Sequence, residues 1–351
     1  MFEPHCPQAM RIDMHSSIGP IDRLVLLGGG DLLARLVSWA LSEGLPVAVV
    51  TSPRHADETV GGGDKSLRSF LEDNGVRHIV ADSINDQGVA GFLGDATQAF
   101  CLSLGAAWIF KKDTIQDLFD DQLFNLHGAR LPQNRGAGGF SWQIMMGSRF
   151  GYCLLHLVDG GIDTGSIVRF EEFLYPAACR VPADFQEEYN ARNHQFLTRF
   201  LSEIRRETVD LDRLSQPEYL STYWPRLNTE INGWIDWRDT LTDLERFVCA
   251  FDDPYEGAKT FLADKQVFLK GAFQDGAEGG FHSFQNGMVF RVNPNWICVC
   301  AGGGTLVVER VEDADGNSIL DRIKPGDRFH TPVDKLEQRT SRAVFTPRGP
   351  K

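Results

Sequence analysis

An alternation near the start of the chain constrains the fold more than any other feature. Arg23-Leu24-Val25-Leu26-Leu27 is a short apolar run that ends in Gly28-Gly29-Gly30. Leu32, Leu33, Leu36, Val37 and Ala40 then recur at helical spacing, and Pro46-Val47-Ala48-Val49-Val50 is a second apolar run. Strand, glycine turn, helix and strand make a βαβ unit, and such strands pair in parallel and are buried on both faces. The alternation continues through Arg77-His78-Ile79-Val80, a helix near residues 87–95, Ala99 to Leu104, and an apolar strand over residues 151–158. The fold class this predicts is α/β, a Rossmann-like and mostly parallel sheet. The glycine turn does not carry a dinucleotide fingerprint. Leu33 stands where the last glycine of G-x-G-x-x-G belongs, and the second strand runs into Thr51-Ser52-Pro53 rather than an acid for a ribose.

The pattern then changes. Phe185, Tyr189, Phe196, Leu197, Phe200, Leu201 and Ile204 form one stripe of an amphipathic helix over residues 184–207. Residues 208–230 are polar, hold Pro217 and Pro225, and read as a linker. Beyond Asn232-Gly233, a helix over residues 241–251 precedes short β-like runs separated by glycine turns, which predicts a small barrel or sandwich. The expected organisation is a flexible extension (1–20), a first domain (21–207), the linker (208–230), a smaller β-rich, OB-like domain (231–330) and a loose tail (331–351). The 351 residues suit two domains.

Charge narrows the partners. A net charge of −13, with only short basic pairs such as Lys111-Lys112 and Arg205-Arg206, opposes nonspecific affinity for polyanions. DNA is not an expected partner and tRNA is disfavoured. The seven cysteines include no CxxC pair, so buried reduced thiols are expected and no metal site. No apolar run reaches the ~20 residues that span a bilayer, and the first residues do not read as a secretion signal. The expected compartment is the cytoplasm.

The residues that point to chemistry lie in Phe124 to Trp142 and His156 to Ile167. Asn125 and His127 are two apart at the end of an apolar strand, so their side chains share one side. Asp163 lies in a glycine-rich loop after a second strand, within reach of the imidazole if the strands are neighbours. An amide donor, an imidazole and a carboxylate make an acyl-transfer site that needs no protein nucleophile. Taken singly, each has a structural reading: a satisfied Asn-x-His pair, or an aspartate that serves a turn. His156 reads as structural, and Trp234 and Trp237 as core of the second domain.

Asn125-Leu126-His127-Gly128, Leu131-Pro132, Arg135-Gly136, Trp142 and Asp163-Thr164-Gly165 resemble the N10-formyltetrahydrofolate-dependent formyltransferase family. That family includes methionyl-tRNA formyltransferase, glycinamide ribonucleotide transformylase and the formyltransferases of nucleotide-linked amino sugars. Tyr223 to Leu227, Asn232 to Trp237 and Pro254 to Ala258 are similar to the carboxy-terminal domain of the methionyl-tRNA and amino-arabinose enzymes, so the resemblance spans about residues 21–310. It implies Asn125 as oxyanion donor, His127 as oxyanion stabiliser and proton carrier, and Asp163 as the group that orients His127 and raises its pKa. It also implies N10-formyltetrahydrofolate as co-substrate, lying against Trp108-Ile109-Phe110 and Asp159, Gly160, Gly161 and Ile162. The alternative for Trp108 to Phe110 is ordinary core.

The motifs depart from the family on the amine side. Ala129-Arg130-Leu131-Pro132 replaces Ser-Leu-Leu-Pro, Ala137 stands near where the amino-arabinose enzyme has an arginine, and Gly139 replaces a proline. Arg130 and Arg135 are candidates to hold a substrate phosphate or carboxylate, or equally surface ion-pair partners. The favoured acceptor is a nucleotide-linked amino sugar. Methionyl-tRNA, an amino-acid or hydroxyornithine amine, and a non-catalytic folate-binding role stand as alternatives. A homodimer is compatible with the sequence, which does not determine the oligomeric state.

Overall fold

The computed structural model describes residues 12–94, 98–137, 139–276 and 279–350. Residues 1–11 of the expected extension, Gly138 of the motif region and the last residue of the expected 87–95 helix lie outside these.

Nine strands form the first sheet: β1 (Ile12–Ile18), β2 (Arg23–Gly28), β3 (Val47–Thr51), β4 (Arg77–Val80), β5 (Ala99–Leu104), β6 (Leu123–His127), β7 (Phe150–Leu157), β8 (Ile167–Leu174) and β9 (Val209–Leu214). Their order is β1-β9-β8-β7-β6-β5-β2-β3-β4. The run from β6 to β4 is parallel, and β7, β8, β9 and β1 extend it antiparallel. Period-two alternation divides the apolar side chains between two layers. Leu24 and Leu26 of β2 pack with Leu33, Leu36 and Val37 of the helix Asp31–Ser42 and with Phe196 and Phe200 of the helix Pro182–Arg206. Val25 and Leu27 face the other way, onto Val89, Leu93, Ile115 and Phe119 from the helices Gln87–Leu93 and Lys112–Phe119.

The second sheet is antiparallel: β10 (Ala258–Leu262), β11 (Lys265–Asp275), β12 (Val289–Asn293), β13 (Trp296–Ala301), β14 (Gly304–Glu312) and β15 (Phe329–His330), ordered β12-β13-β14-β11-β10-β15. Leu244 and Val248 of the helix Leu241–Ala250 fill its core with Leu269, Val299 and Val308, and Trp237 is buried there too. Ile144, Tyr175 and Phe185 join the same cluster, so this core continues into the first part of the chain. The Ser141 hydroxyl seals the contact by donating to Ala250 O at 2.7 Å. Cys298 and Cys300 are buried.

Three segments differ from expectation. Residues 12–18, read as flexible extension, form β1, which pairs antiparallel with β9. β9 in turn lies in the segment read as linker. Its polar residues Asp210 and Asp212 alternate with buried Leu211, which is the composition of a strand with one wet face. The expected loose tail contains the helix Val333–Gln338 and a short hairpin, Phe345–Thr346 with Gly349–Pro350. Arg348 of that hairpin bonds both carboxylate oxygens of Asp82, at 2.8 and 2.7 Å.

Phe200 is wholly buried, edge-on to Phe100 at 5.7 Å. We expect Phe200→Ala to cost about 3–5 kcal/mol. Phe284→Ala, at a side chain 74% exposed, should change stability by less than about 0.5 kcal/mol. Urea denaturation of the two variants checks the contrast.

Candidate active site

The site begins with a register. Asn125 and His127 end β6 on one face, and β7 runs antiparallel beside it with His156 directly opposite Asn125. The chain leaves β7 through the loop that carries Asp163. Gly165 makes that return possible, because a Cβ there would lie 1.9 Å from Leu157 O. Asp163 itself has φ +52°, a left-handed conformation that aspartate tolerates better than most residues.

The bonds identify one protonated nitrogen on each ring. His127 Nε2 lies 2.7 Å from Asn134 O, and a carbonyl has no proton to give, so Nε2–H donates. His156 Nδ1–H likewise donates to Leu157 O at 2.7 Å. The inner nitrogen of each ring faces Asp163: His127 Nδ1 at 3.8 Å and His156 Nε2 at 3.5 Å. His156 Nε2 also accepts from Asn125 Nδ2 at 3.0 Å, which leaves the second amide N–H of Asn125 for a ligand. The Gly136 N–H donates to Asp163 Oδ2 at 2.8 Å, and Gln216 Nε2 holds the loop through Asp163 O at 2.9 Å and Gly165 O at 2.7 Å.

Electrostatics follow from this packing. Burial alone would raise the Asp163 carboxyl, but His156, His127 and the Gly136 N–H together hold it down at about 2. Burial lowers the pKa of His127. Asp163 and the bond to Asn134 O pull it up and His156 pushes it down, and the net direction is below the ordinary 6.5. The expected rise of the His127 pKa is therefore corrected: the carboxylate acts in the expected sense, but desolvation outweighs it. His127, His156 and Asp163 bring one metal-ligand-type atom each within 4.8 Å of one another, and the far N–H of both histidines bonds a backbone carbonyl, as on ligating histidines.

Beside His127 opens a cavity of about 240 Å³, lined among others by Gly136, Phe140, Trp142, Tyr189 and Trp224. Trp142 and Trp224 lie 4.9 Å apart, and the Trp142 indole N–H donates to Pro225 O at 2.8 Å. Gly136 has φ +93°, and a Cβ there would meet Trp224 O at 2.5 Å.

The remaining expected site residues divide. Trp108 and Phe110 are buried in the core under β2 and β5, while Ile109 between them is 72% exposed. Asp159, Gly160, Gly161 and Ile162 are exposed, and Gly160 abuts Lys112, so this loop adjoins the one after Phe110. Arg130 is exposed. Arg135 is corrected as a substrate arginine: its buried guanidinium is committed to Gln216 at 3.2 Å and Glu218 at 2.7 Å, tying the motif loop to the segment after β9. His156, read as structural, stands in the centre of the cluster. A histidine in an otherwise apolar strand was the available signal.

Comparison with known proteins adds family context. Residues 228–320 match the family described as formyl transferase, C-terminal domain. The methionyl-tRNA formyltransferase of Acetivibrio thermocellus is 23% identical over 83% of this chain and 91% of its own length. That of Roseobacter denitrificans is 28% identical over the same shares. Among solved structures, WlaRD, a sugar 3N-formyl transferase solved in the presence of dTDP and 5-N-formyl-THF, superposes with a TM-score of 0.62 at 19% identity, covering 83% of this chain and 98% of that one. The N-formyltransferase from Helicobacter canadensis, in complex with folinic acid and dTDP-3-aminofucose, gives 0.60 at 18% identity, covering 83% and 99%. At these identities the structural likeness carries the fold.

The shifted groups make stability depend on pH. The unfolded chain protonates His127 near 6.5 and the folded chain only below that, so stability falls as pH drops below about 6.5. Asp163 contributes stability that is present above its ordinary 3.8 and is lost as pH falls towards about 2. We expect the urea midpoint to fall between pH 7 and pH 5, and to fall less in His127→Gln. Equal losses in the two proteins would remove His127 as a source.

Proposed function

We propose that this chain moves the formyl group of N10-formyltetrahydrofolate onto the primary amine of a nucleotide-linked amino sugar, a reading that its similarity to formyltransferases in sequence and fold supports. The observation that carries the reading is the convergence of Asn125, His127 and Asp163 around one point beside an aromatic-walled cavity.

Asn125 keeps one amide N–H for the formyl oxygen as the amine adds and negative charge gathers there. Neutral His127 takes the proton that the attacking nitrogen sheds, and as the tetrahedral adduct collapses with cleavage of its C–N10 bond the imidazolium returns that proton to N10, releasing tetrahydrofolate. Ionised Asp163 then stabilises the imidazolium that forms 3.8 Å away, and His156 keeps the Asn125 amide aligned through their 3.0 Å bond. No protein nucleophile and no metal enter this scheme. The folate would lie against the exposed backbone of Asp159, Gly160 and Gly161 and the apolar side chains of Ile109 and Ile162, which the chain presents to solvent in two adjoining loops. Trp108 and Phe110 support that surface from below.

Two features favour a small acceptor over methionyl-tRNA. The net charge of −13 opposes a polyanion, and of the two solved structures described above one is a sugar 3N-formyl transferase and the other an N-formyltransferase in complex with dTDP-3-aminofucose. Methionyl-tRNA remains the second reading because the sequence relatives carry that name.

Asn125→Ala should fold and lose roughly 10²–10³ in kcat, the cost of one oxyanion donor. His127→Ala should lose at least as much. Asp163→Asn should lower the pKa of His127 further, which moves the acid limb of kcat/KM to lower pH. Tetrahydrofolate release, followed by ultraviolet absorbance against a panel of nucleotide-linked amino sugars and charged tRNA, measures all three. Wild-type turnover with tRNA alone would replace the sugar reading.

A further inference from the structure

The wall of the cavity leads to a second feature. Trp224 lines the cavity, Pro225 accepts the Trp142 indole bond, and Arg226 comes next. Across from it lies Arg54, in the short helix Pro53–Ala56 just beyond the carboxyl end of β3, the end at which ligands of open parallel sheets bind. The two guanidiniums are close enough to act on the same neighbours, His55 and Glu58.

Arg54 is aimed by a relay. His55 Nδ1–H donates to the Ser52 hydroxyl at 3.2 Å, so its Nε2 is free to accept from Arg54 Nη2 at 2.6 Å. His55 is itself clamped, since a Cβ on Gly29 would come within 2.6 Å of its side chain. Burial first, then Arg54 and Arg226, hold its pKa at about 3, so the ring stays neutral and keeps accepting. Arg54 Nη1 bonds Glu58 at 3.0 Å. Arg226 rests over the Phe345 ring at 4.4 Å, and among the described residues no carboxylate stands within ion-pair distance of it. The carboxy-terminal hairpin thus supplies the floor beneath Arg226, and its Pro347 O accepts from the Arg54 backbone N–H at 3.3 Å. Arg54 bonds the Glu58 carboxylate, Arg226 acts on it only at longer range, and burial pushes that carboxyl up, away from its charged form.

We infer that Arg54 and Arg226 seat the diphosphate of the acceptor, with Glu58 as the exchangeable counter-charge that the arriving phosphate displaces. This rests on the preceding reading of the acceptor and adds where its charge is read. The cavity beside His127 holds no lysine or arginine in its lining, so a phosphorylated substrate must be neutralised beyond it, and the wall from Trp224 to Arg226 points to the place. The same cationic chemistry would suit the glutamyl carboxylates of folate, and the test separates the two.

The experiment compares wild type with Arg54→Gln, Arg226→Gln and Glu58→Gln, with thermal midpoints showing that each is folded. For nucleotide-linked amino sugars, each arginine variant should raise the acceptor KM about 10- to 100-fold, with kcat at saturation and the folate KM unchanged. Glu58→Gln should lower the acceptor KM. An unchanged acceptor KM in both arginine variants, or a rise in the folate KM instead, would overturn the assignment. Binding of inorganic pyrophosphate by isothermal titration calorimetry tests the pair separately. Loss of binding in Arg54→Gln/Arg226→Gln supports it and retention overturns it, even if wild type turns over no sugar and the acceptor reading fails.

Discussion

The site depends on one carboxylate. Asp163 lies beside two imidazoles with the Gly136 N–H bonded to its carboxylate, in a left-handed conformation that costs on the order of 1 kcal/mol or more. Its place is set by backbone rather than by the side chain alone. Gly165 turns the loop, Gln216 anchors it, and β7 delivers it beside β6. Everything assigned to Asn125 and His127 follows from having a fixed negative charge at that point. A looser aspartate would leave the His127 ring with nothing to stabilise a proton it receives.

The second sheet bears on the same point. Its core continues into the helix Gly139–Met145, which forms one side of the cavity, and the segment between the sheets supplies Trp224 as another. Arg135, expected to meet substrate, works instead as a tie to Gln216 and Glu218, and Gln216 is the residue that anchors the Asp163 loop. The linker, the motif loop and the catalytic loop therefore form one bonded unit. This explains how a segment of unremarkable polar composition governs the geometry of the centre.

The sequence made the parallel half of the first sheet legible, because its strands are continuous apolar runs and their helices carry clean stripes. It also made the Asn125, His127 and Asp163 cluster legible, since two-residue spacing and a glycine-rich loop express geometry directly. β1 and β9 were not legible. β1 pairs with β9 across about 200 residues of sequence and β9 with β8 across about 50, and their wet faces look like loop. The commitment of Arg135 was hidden for a similar reason, as its partners lie some 80 residues away. His156 could be seen but not ranked, because its role depends on register with Asn125. The pKa of His127 runs opposite to the sequence expectation because a charge partner can be read from sequence and the depth of burial cannot.

In the proposed mechanism the formyl group passes directly from donor to amine, with the protein contributing a hydrogen bond, a base and a fixed charge. Single-turnover transfer of an isotopically labelled formyl group, stopped by denaturing quench, tests it most directly. The label should move from N10-formyltetrahydrofolate to the amine without residing on the chain. Label recovered on a protein side chain at intermediate times would contradict the direct mechanism.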